Sequence, residues 1–235
     1  IGVIELINRI NDINYTKNDL TLLKIFAEYT STLVQNSLDA KMFEELSMSD
    51  NLTGLFNDRY FYDRLAKEAM SALRRGTDVS LIFLDLDRFK EVNDKHGHLA
   101  GSKVLTEVGQ IIRSTLPRLS SKAARFGGDE FVVILPGLNL EKSSEYAEKL
   151  RRSVQDYTFL KHALYRGAMP IILSGHITIS IGVASLRANV KPVGSVNEVR
   201  DALIRQSDGA MYKSKENGKN IYTAAQGKID PTAAA

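Results

Sequence analysis

The 235-residue chain has no cysteine, which excludes a disulfide framework, a thiolate zinc site and a cysteine nucleophile. It also lacks an uninterrupted apolar stretch of membrane-spanning length and any signal-peptide pattern, so no membrane contact is expected for this segment. An excess of one charge is missing as well: 31 Lys and Arg stand against 28 Asp and Glu, a formal net charge of +3. The basic residues are scattered, which argues against a nucleic-acid footprint and leaves an ordinary surface with room for an anionic ligand. Between Lys17 and Asp50 there is neither glycine nor proline. What is present, 43% hydrophobic residues, is ample for a packed core in one or two domains.

The stretch without breakers reads as one helix. Thr16 is its candidate N-cap, with Asp19 three residues on. Leu22, Phe26, Tyr29 and Leu33 follow a 4-3-4 spacing, continued less strictly by Val34, Leu38, Met42 and Leu46. About thirty residues of helix span roughly 45 Å, and a lone helix of that length needs a partner. A parallel homodimer through the stripe is expected; the alternative is a helix folded back on its own domain. Ahead of it, Ile1 to Asn8 reads as a strand. This strand and the start of the helix resemble the end of a GAF sensor domain, which would make residues 1–16 the remnant of a missing upstream sensor and 17–49 a linker helix.

Two acidic motifs carry the chemistry. Phe126-Gly127-Gly128-Asp129-Glu130-Phe131 lies between the apolar runs Ala123-Ala124 and Val132 to Leu135, the pattern of a β-hairpin turning on glycine. Adjacent carboxylates repel unless something positive sits between them, and a metal ion is the commonest such group. Upstream, the run from Val79 to Leu84 reads as a strand buried on both faces, ending in Asp85 and Asp87. Asp85 is the candidate ligand for a hard cation. Asp87 is read as structural, with capping of the following helix as its simplest role.

Six segments then occur in order: Asp50 to Asn57, Asp85 to Asp94, Gly97 to Gly101, Phe126 to Phe131, Ile177 to Val183, and Asp208 to Asn220. Together they resemble the GGDEF family of nucleotidyl cyclases over roughly residues 47 to 224. The resemblance implies an α+β, ferredoxin-like βαββαβ core in residues 50–224, read as an antiparallel sheet covered on one face by helices. It also implies a cytoplasmic bacterial signalling enzyme that condenses two nucleoside triphosphates. Within the long segment from Thr158 to Gly175, Pro170 to Leu173 is a possible edge strand, and residues 225–235 are expected to be a disordered tail.

Carried over residue by residue, the resemblance assigns Asp85, Glu130 and the Leu86 carbonyl to Mg²⁺ (or Mn²⁺). Asp129 either activates a ribose 3′-hydroxyl or helps hold metal, and the two coupled acids can share these roles. Phe89 and Lys90 open a helix whose free amides suit phosphate. Lys215 and Lys219 match the basic residues on the terminal phosphates, the second being often arginine. Gly127 and Gly128 let substrate approach the backbone. His96 and His98 are given no chemical role.

The chain departs from the family pattern at two places. An Arg-x-x-Asp product site is degenerate here, reading Arg118 to Ser121, which implies weak or absent product inhibition. The other departure is at the base: Asn93 matches the family's asparagine, but Ser102 stands where guanine-specific members have aspartate. A hydroxyl donates and accepts, and so serves either purine edge. This pattern resembles the hybrid promiscuous subgroup, implying GTP and ATP as substrates and 3′,3′-cyclic GMP-AMP as product beside cyclic di-GMP. The alternatives are a strictly GTP-specific diguanylate cyclase, or a catalytically silent nucleotide-binding receptor domain.

Overall fold

The computed structural model describes residues 3–5, 7, 15–117, 121–167 and 169–232, in two compact units that divide after Met48. In the first unit, helix α1 runs over Lys17–Ser47. It starts where the sequence indicates: the Thr16 amide donates to Asp19 Oδ2 at 2.7 Å, and the Asp19 amide donates back to Thr16 Oγ1 at 3.3 Å. Leu22, Phe26, Tyr29 and Leu33 each expose more than half of their surface; the Leu46 side chain lies outside the described residues. Val3–Glu5 and Ile7 form no strand, and the rest of the expected Ile1–Asn8 strand also lies outside the described residues.

The second unit is built on a five-stranded sheet with strands β1 (Val79–Asp87), β2 (Lys122–Gly127), β3 (Glu130–Pro136), β6 (Thr178–Ser185) and β7 (Tyr222–Ala224), in the order β2-β3-β1-β6-β7. β1 pairs antiparallel with both β3 and β6, and β7 adds in parallel to β6. The helices are α2 (Asp58–Arg75), α3 (Phe89–His96), α4 (His98–Thr115), α5 (Leu140–Gln155), the short α6 (Leu186–Asn189) and α7 (Val196–Glu216). Within this unit β1, the successive helices α3 and α4, β2, β3, α5 and β6 follow the expected βαββαβ order, with two helices in the first α position.

Helices cover both faces of this sheet, not one. Ile82, Leu84 and Leu86 of β1 pack with Val104, Val108 and Ile112 of α4 and Ala147 and Leu150 of α5. Leu81 and Phe83 point the other way, toward Phe61, Leu65 and Ala69 of α2 and Val199, Ala202 and Leu203 of α7. The reason is in β1 itself: all nine residues are buried, so either face left open would put branched side chains in water. α7 comes unusually close because Gly182 of β6 lies beneath it. A Cβ there would collide with the Ser207 carbonyl oxygen and the Met211 amide nitrogen.

Two further expectations are corrected. Pro170 to Leu173 is not an edge strand of the main sheet; β5 is only Leu173–Ser174 and pairs with β4 (Thr158–Phe159) in a separate two-stranded ribbon. That segment is anchored by buried Phe159 and Leu160 and by the Leu160 amide, which donates to buried Glu107 Oε2 at 3.0 Å. Nor are residues 225–232 without order. The Ala225 amide donates to the Val183 carbonyl at 2.7 Å, the Ile229 amide to that of Asn189 at 3.0 Å, and Pro231 is buried. Residues 233–235 lie outside the described residues.

Candidate active site

The acids of the two motifs meet because the sheet register brings them together. Asp85, near the end of β1, is the cross-strand partner of Glu130, the first residue of β3. The hairpin between β2 and β3 turns on Gly128 and Asp129. Gly128 has φ 46°, Gly127 remains in β2, and a bulge between Arg125 and Gly127 shifts the register. The Leu86 amide donates to the Asp129 carbonyl at 3.3 Å and ties the turn to β1. Neither Gly127 nor Gly128 has an atom within 4 Å of where a Cβ would stand, so the turn is open to a close neighbour.

Lys215, in the last turn of α7, reaches across to Asp85 Oδ2 at 2.8 Å. Burial pushes the Asp85 carboxyl upward, the Lys215 hydrogen bond opposes this, and the charge of Asp129 adds to the rise. Burial likewise raises Glu130, reinforced by Asp85 and by Asp208 on α7. Asp208 is itself raised by burial against the pull of Lys215. For Lys215, burial disfavours the ammonium, but the hydrogen bond and charge of Asp85, with Asp129 and Glu130, outweigh it and the net shift is upward. The site is thus an acidic cluster short of positive charge, with one lysine already drawn into it.

Asp87 does not cap the helix. α3 begins after Arg88, which has φ 61° and makes no side-chain cap. The Asp87 carboxylate is buried and accepts from Thr178 Oγ1 and Ser180 Oγ, both at 2.7 Å, and from the Asn220 amide at 3.0 Å. All three of these donors are neutral groups.

Asn93 in α3 and Ser102 in α4 lie on either side of the α3–α4 break, where Gly97 adopts φ 81°. A Cβ on Gly101 would strike the Asn93 carboxamide oxygen, so Asn93 lies directly over the residue before Ser102. Phe89 is half-buried and Lys90 exposed at the start of α3, and Lys219 is exposed beyond the end of α7. Arg118 lies outside the described residues. The Ser121 hydroxyl donates to the Pro117 carbonyl at 2.8 Å and so bonds its own backbone.

Two residues supporting the site went unassigned in the sequence. Arg125 donates to the Gly128 carbonyl through Nε (3.0 Å) and a terminal nitrogen (2.7 Å), and pairs with Asp50 Oδ2 at 3.3 Å. Asp50 also accepts from the Thr53 amide and hydroxyl, at 2.8 and 2.7 Å. The local Asp-x-x-Thr pattern was readable; the Arg125 partner, 75 residues away, left no local signal.

All the acids in the cluster offer oxygen, the donor a hard divalent cation prefers, and Mg²⁺ commonly takes only one or two carboxylates alongside substrate phosphates. Among the described residues no three His, Cys, Asp or Glu side chains come together to hold an ion by themselves. Asp85 and Glu130 present carboxylate oxygens side by side at adjoining strand ends, a donor chemistry that suits such an ion.

Paired acids at adjoining strand ends, a lysine opposite and an open glycine turn thus lie together at one end of β1. Comparison with known proteins gives the family: the diguanylate cyclase GGDEF domain matches residues 47–221, and the chain belongs to this family of nucleotidyltransferases. It is 34% identical over 208 residues to the diguanylate cyclase DgcS of Shewanella oneidensis, covering 87% of this chain and 61% of that protein. Diguanylate cyclase A of Treponema denticola is 30% identical over 214 residues, covering 87% and 53%. The chain thus spans little more than half the length of these relatives. The coiled coil and GGDEF domain of DgcB from Caulobacter crescentus, solved with c-di-GMP, superposes with a TM-score of 0.74 at 29% identity, covering 87% of this chain and all of that one.

Proposed function

We propose that the chain condenses two nucleoside triphosphates into a 3′,5′-linked cyclic dinucleotide, accepting ATP as well as GTP and making 3′,3′-cyclic GMP-AMP beside cyclic di-GMP. The observation that carries the cyclase reading is the meeting of Asp85, Glu130 and Lys215 at one end of β1. In each of two half-reactions a ribose 3′-oxygen forms a bond to an α-phosphorus and the bond from that phosphorus to the bridging oxygen breaks. Pyrophosphate leaves, and the hydroxyl proton passes to the Asp129–Glu130 pair.

Asp85, Glu130 and the Leu86 carbonyl would hold Mg²⁺ (or Mn²⁺), which when bound would neutralise the triphosphate and the charge that develops in the displacement. Lys215 and Lys219 bind the terminal phosphates, and the amides of Phe89 and Lys90 at the start of α3 receive a phosphate oxygen. Lys219 in place of an arginine keeps the charge but not the fork geometry. One site holds one triphosphate, so the attacking hydroxyl comes from a second copy, and the α1 stripe supplies the pairing. The coiled coil named in the DgcB structure supports that arrangement.

Base choice rests on Ser102. Aspartate accepts only, matching the N1–H and N2–H₂ donors of guanine and repelling N1 of adenine; serine removes that penalty. For guanine, losing a charge-assisted contact forfeits on the order of 1–2 kcal/mol. A GTP-only reading is favoured by the names of the relatives, which are diguanylate cyclases. Equimolar ATP and GTP with Mg²⁺, the products identified by mass, decide between them. Mixed cyclic GMP-AMP is expected from the unaltered chain, with Ser102→Asp restoring cyclic di-GMP. Cyclic di-GMP alone from the unaltered chain contradicts the serine argument.

A further inference from the structure

Between α7 and β7 the chain turns through three consecutive residues of positive φ, beginning at Gly218 (φ 108°). Lys219 and Asn220, two consecutive residues with side chains, sit at φ 64° and 50°, a backbone region that L residues seldom adopt. A turn of this kind persists only when its surroundings hold it. The Lys219 amide donates to the Ser214 carbonyl at 3.0 Å, and the Asn220 amide to Asp87 Oδ2 at 3.0 Å. The Asn220 side chain is gripped from α5 on both of its polar atoms. Arg151 donates to its Oδ1 at 2.9 Å, and its Nδ2 donates to Gln155 Oε1 at 3.1 Å.

Arg151 is itself fixed. Its Nε and a terminal nitrogen donate to the two Glu148 carboxylate oxygens, at 2.8 and 2.9 Å, and its other terminal nitrogen also donates to Gln155 Oε1. The Arg151 side chain is only 15% exposed. Its fork is therefore spent on Glu148, Gln155 and Asn220, leaving it poorly placed to bind a phosphate directly. The network starts in the middle of α5 and ends on the residue after Lys219.

We infer that Arg151 is a positioning residue for triphosphate binding, acting through Asn220 to fix the turn that presents Lys219 to the terminal phosphates. This rests on the phosphate role given to Lys219 above. A lysine on a loose turn still carries its charge, but binding must then also order the turn. The cost falls on affinity for the triphosphate more than on the chemical step, a split that a general loss of stability would not produce.

The test uses the full chain and five variants: Arg151→Met, Asn220→Gly, the two combined, Lys219→Ala and Arg152→Met. Steady-state KM and kcat for GTP, binding of α,β-methylene-GTP by calorimetry, and thermal unfolding are measured for each. Arg151→Met and Asn220→Gly are each expected to raise KM about tenfold with kcat within about twofold, the effect of one lost charge-assisted hydrogen bond. The double variant should be no worse than the worse single one, because both cut the same path. Arg152→Met should match the unaltered chain: Arg152 shares Glu148 but is 70% exposed. Asn220→Gly accepts a positive φ, so it carries the test should Arg151→Met fold poorly. An unchanged KM in Asn220→Gly, or additive effects in the double variant, overturns the inference while an elevated KM in Lys219→Ala leaves the phosphate reading standing. An unchanged KM in Lys219→Ala overturns both.

Discussion

Asp85 and Asp87 stand two residues apart on one strand face, yet their environments give them opposite work. Asp87 accepts from two hydroxyls and an amide, which hold both of its oxygens toward β6 and the turn after α7. Asp85 is held by a single ammonium and raised by burial, so it can exchange that partner. The sequence already reads Asp85 as ligand and Asp87 as structural, but not what holds Asp87, because its donors lie on β6 and beyond α7. Glu148 shows how strongly one residue's surroundings can act on a carboxyl. Hydrogen bonds from Arg151 first, then from Arg152, hold it at about 2, against 4.5 in the unfolded chain. The folded chain therefore binds fewer protons there than the unfolded one, so this stabilisation is full above 4.5 and is lost as pH falls toward 2. Urea midpoints measured across that window should fall in the unaltered chain and fall less in Glu148→Gln; equal slopes would remove Glu148 from the account.

Elements were legible wherever a local rule fixed them. The N-cap of α1 and the hairpin around Gly128 both follow from residues next to one another. The β1 strand was visible as a run of buried side chains, but which helices cover it was not. That is settled by pairing α2 and α7 with the second face, contacts that join residues far apart in the chain. α6 and the β4–β5 ribbon are too short for periodicity to show. Gly182 is the clearest case of an element set by contact: it reads as an ordinary strand residue, and its need for a bare Cα comes wholly from α7. Gly182→Ala forces α7 off the sheet and is expected to cost about 3 kcal/mol, a drop of several degrees in the unfolding midpoint. An unfolding midpoint equal to that of the unaltered chain would mean that α7 does not pack as closely as described.

At the scale of the whole molecule, the proposed reaction needs more than one site, because the attacking hydroxyl belongs to a second nucleotide. The exposed stripe Leu22, Phe26, Tyr29 and Leu33 on α1 is the surface proposed to bring two chains together with two-fold symmetry. Leu33→Asp should make activity per chain fall as the protein is diluted, at concentrations where the unaltered chain holds its rate. Specific activity independent of dilution in the variant would detach catalysis from this stripe. The candidate site was legible chiefly as motifs: Asp85, Asp129, Glu130 and Lys215 could be named, but not the clamp of Arg125 on the glycine turn or the network behind Lys219. Those supports are pairs of ordinary residues whose meaning appears only when the chain is folded.

The most direct measurement of the central claim is turnover with labelled GTP and Mg²⁺ in three proteins: the unaltered chain, Asp85→Ala, and the double variant Asp129→Ala with Glu130→Ala. The unaltered chain should release two pyrophosphates for each cyclic dinucleotide formed. Both variants should release none while keeping the circular dichroism and unfolding midpoint of a folded domain, since the changes remove charged groups at the sheet end and not core packing. Cyclic product from either variant, or none from the unaltered chain, would contradict the account.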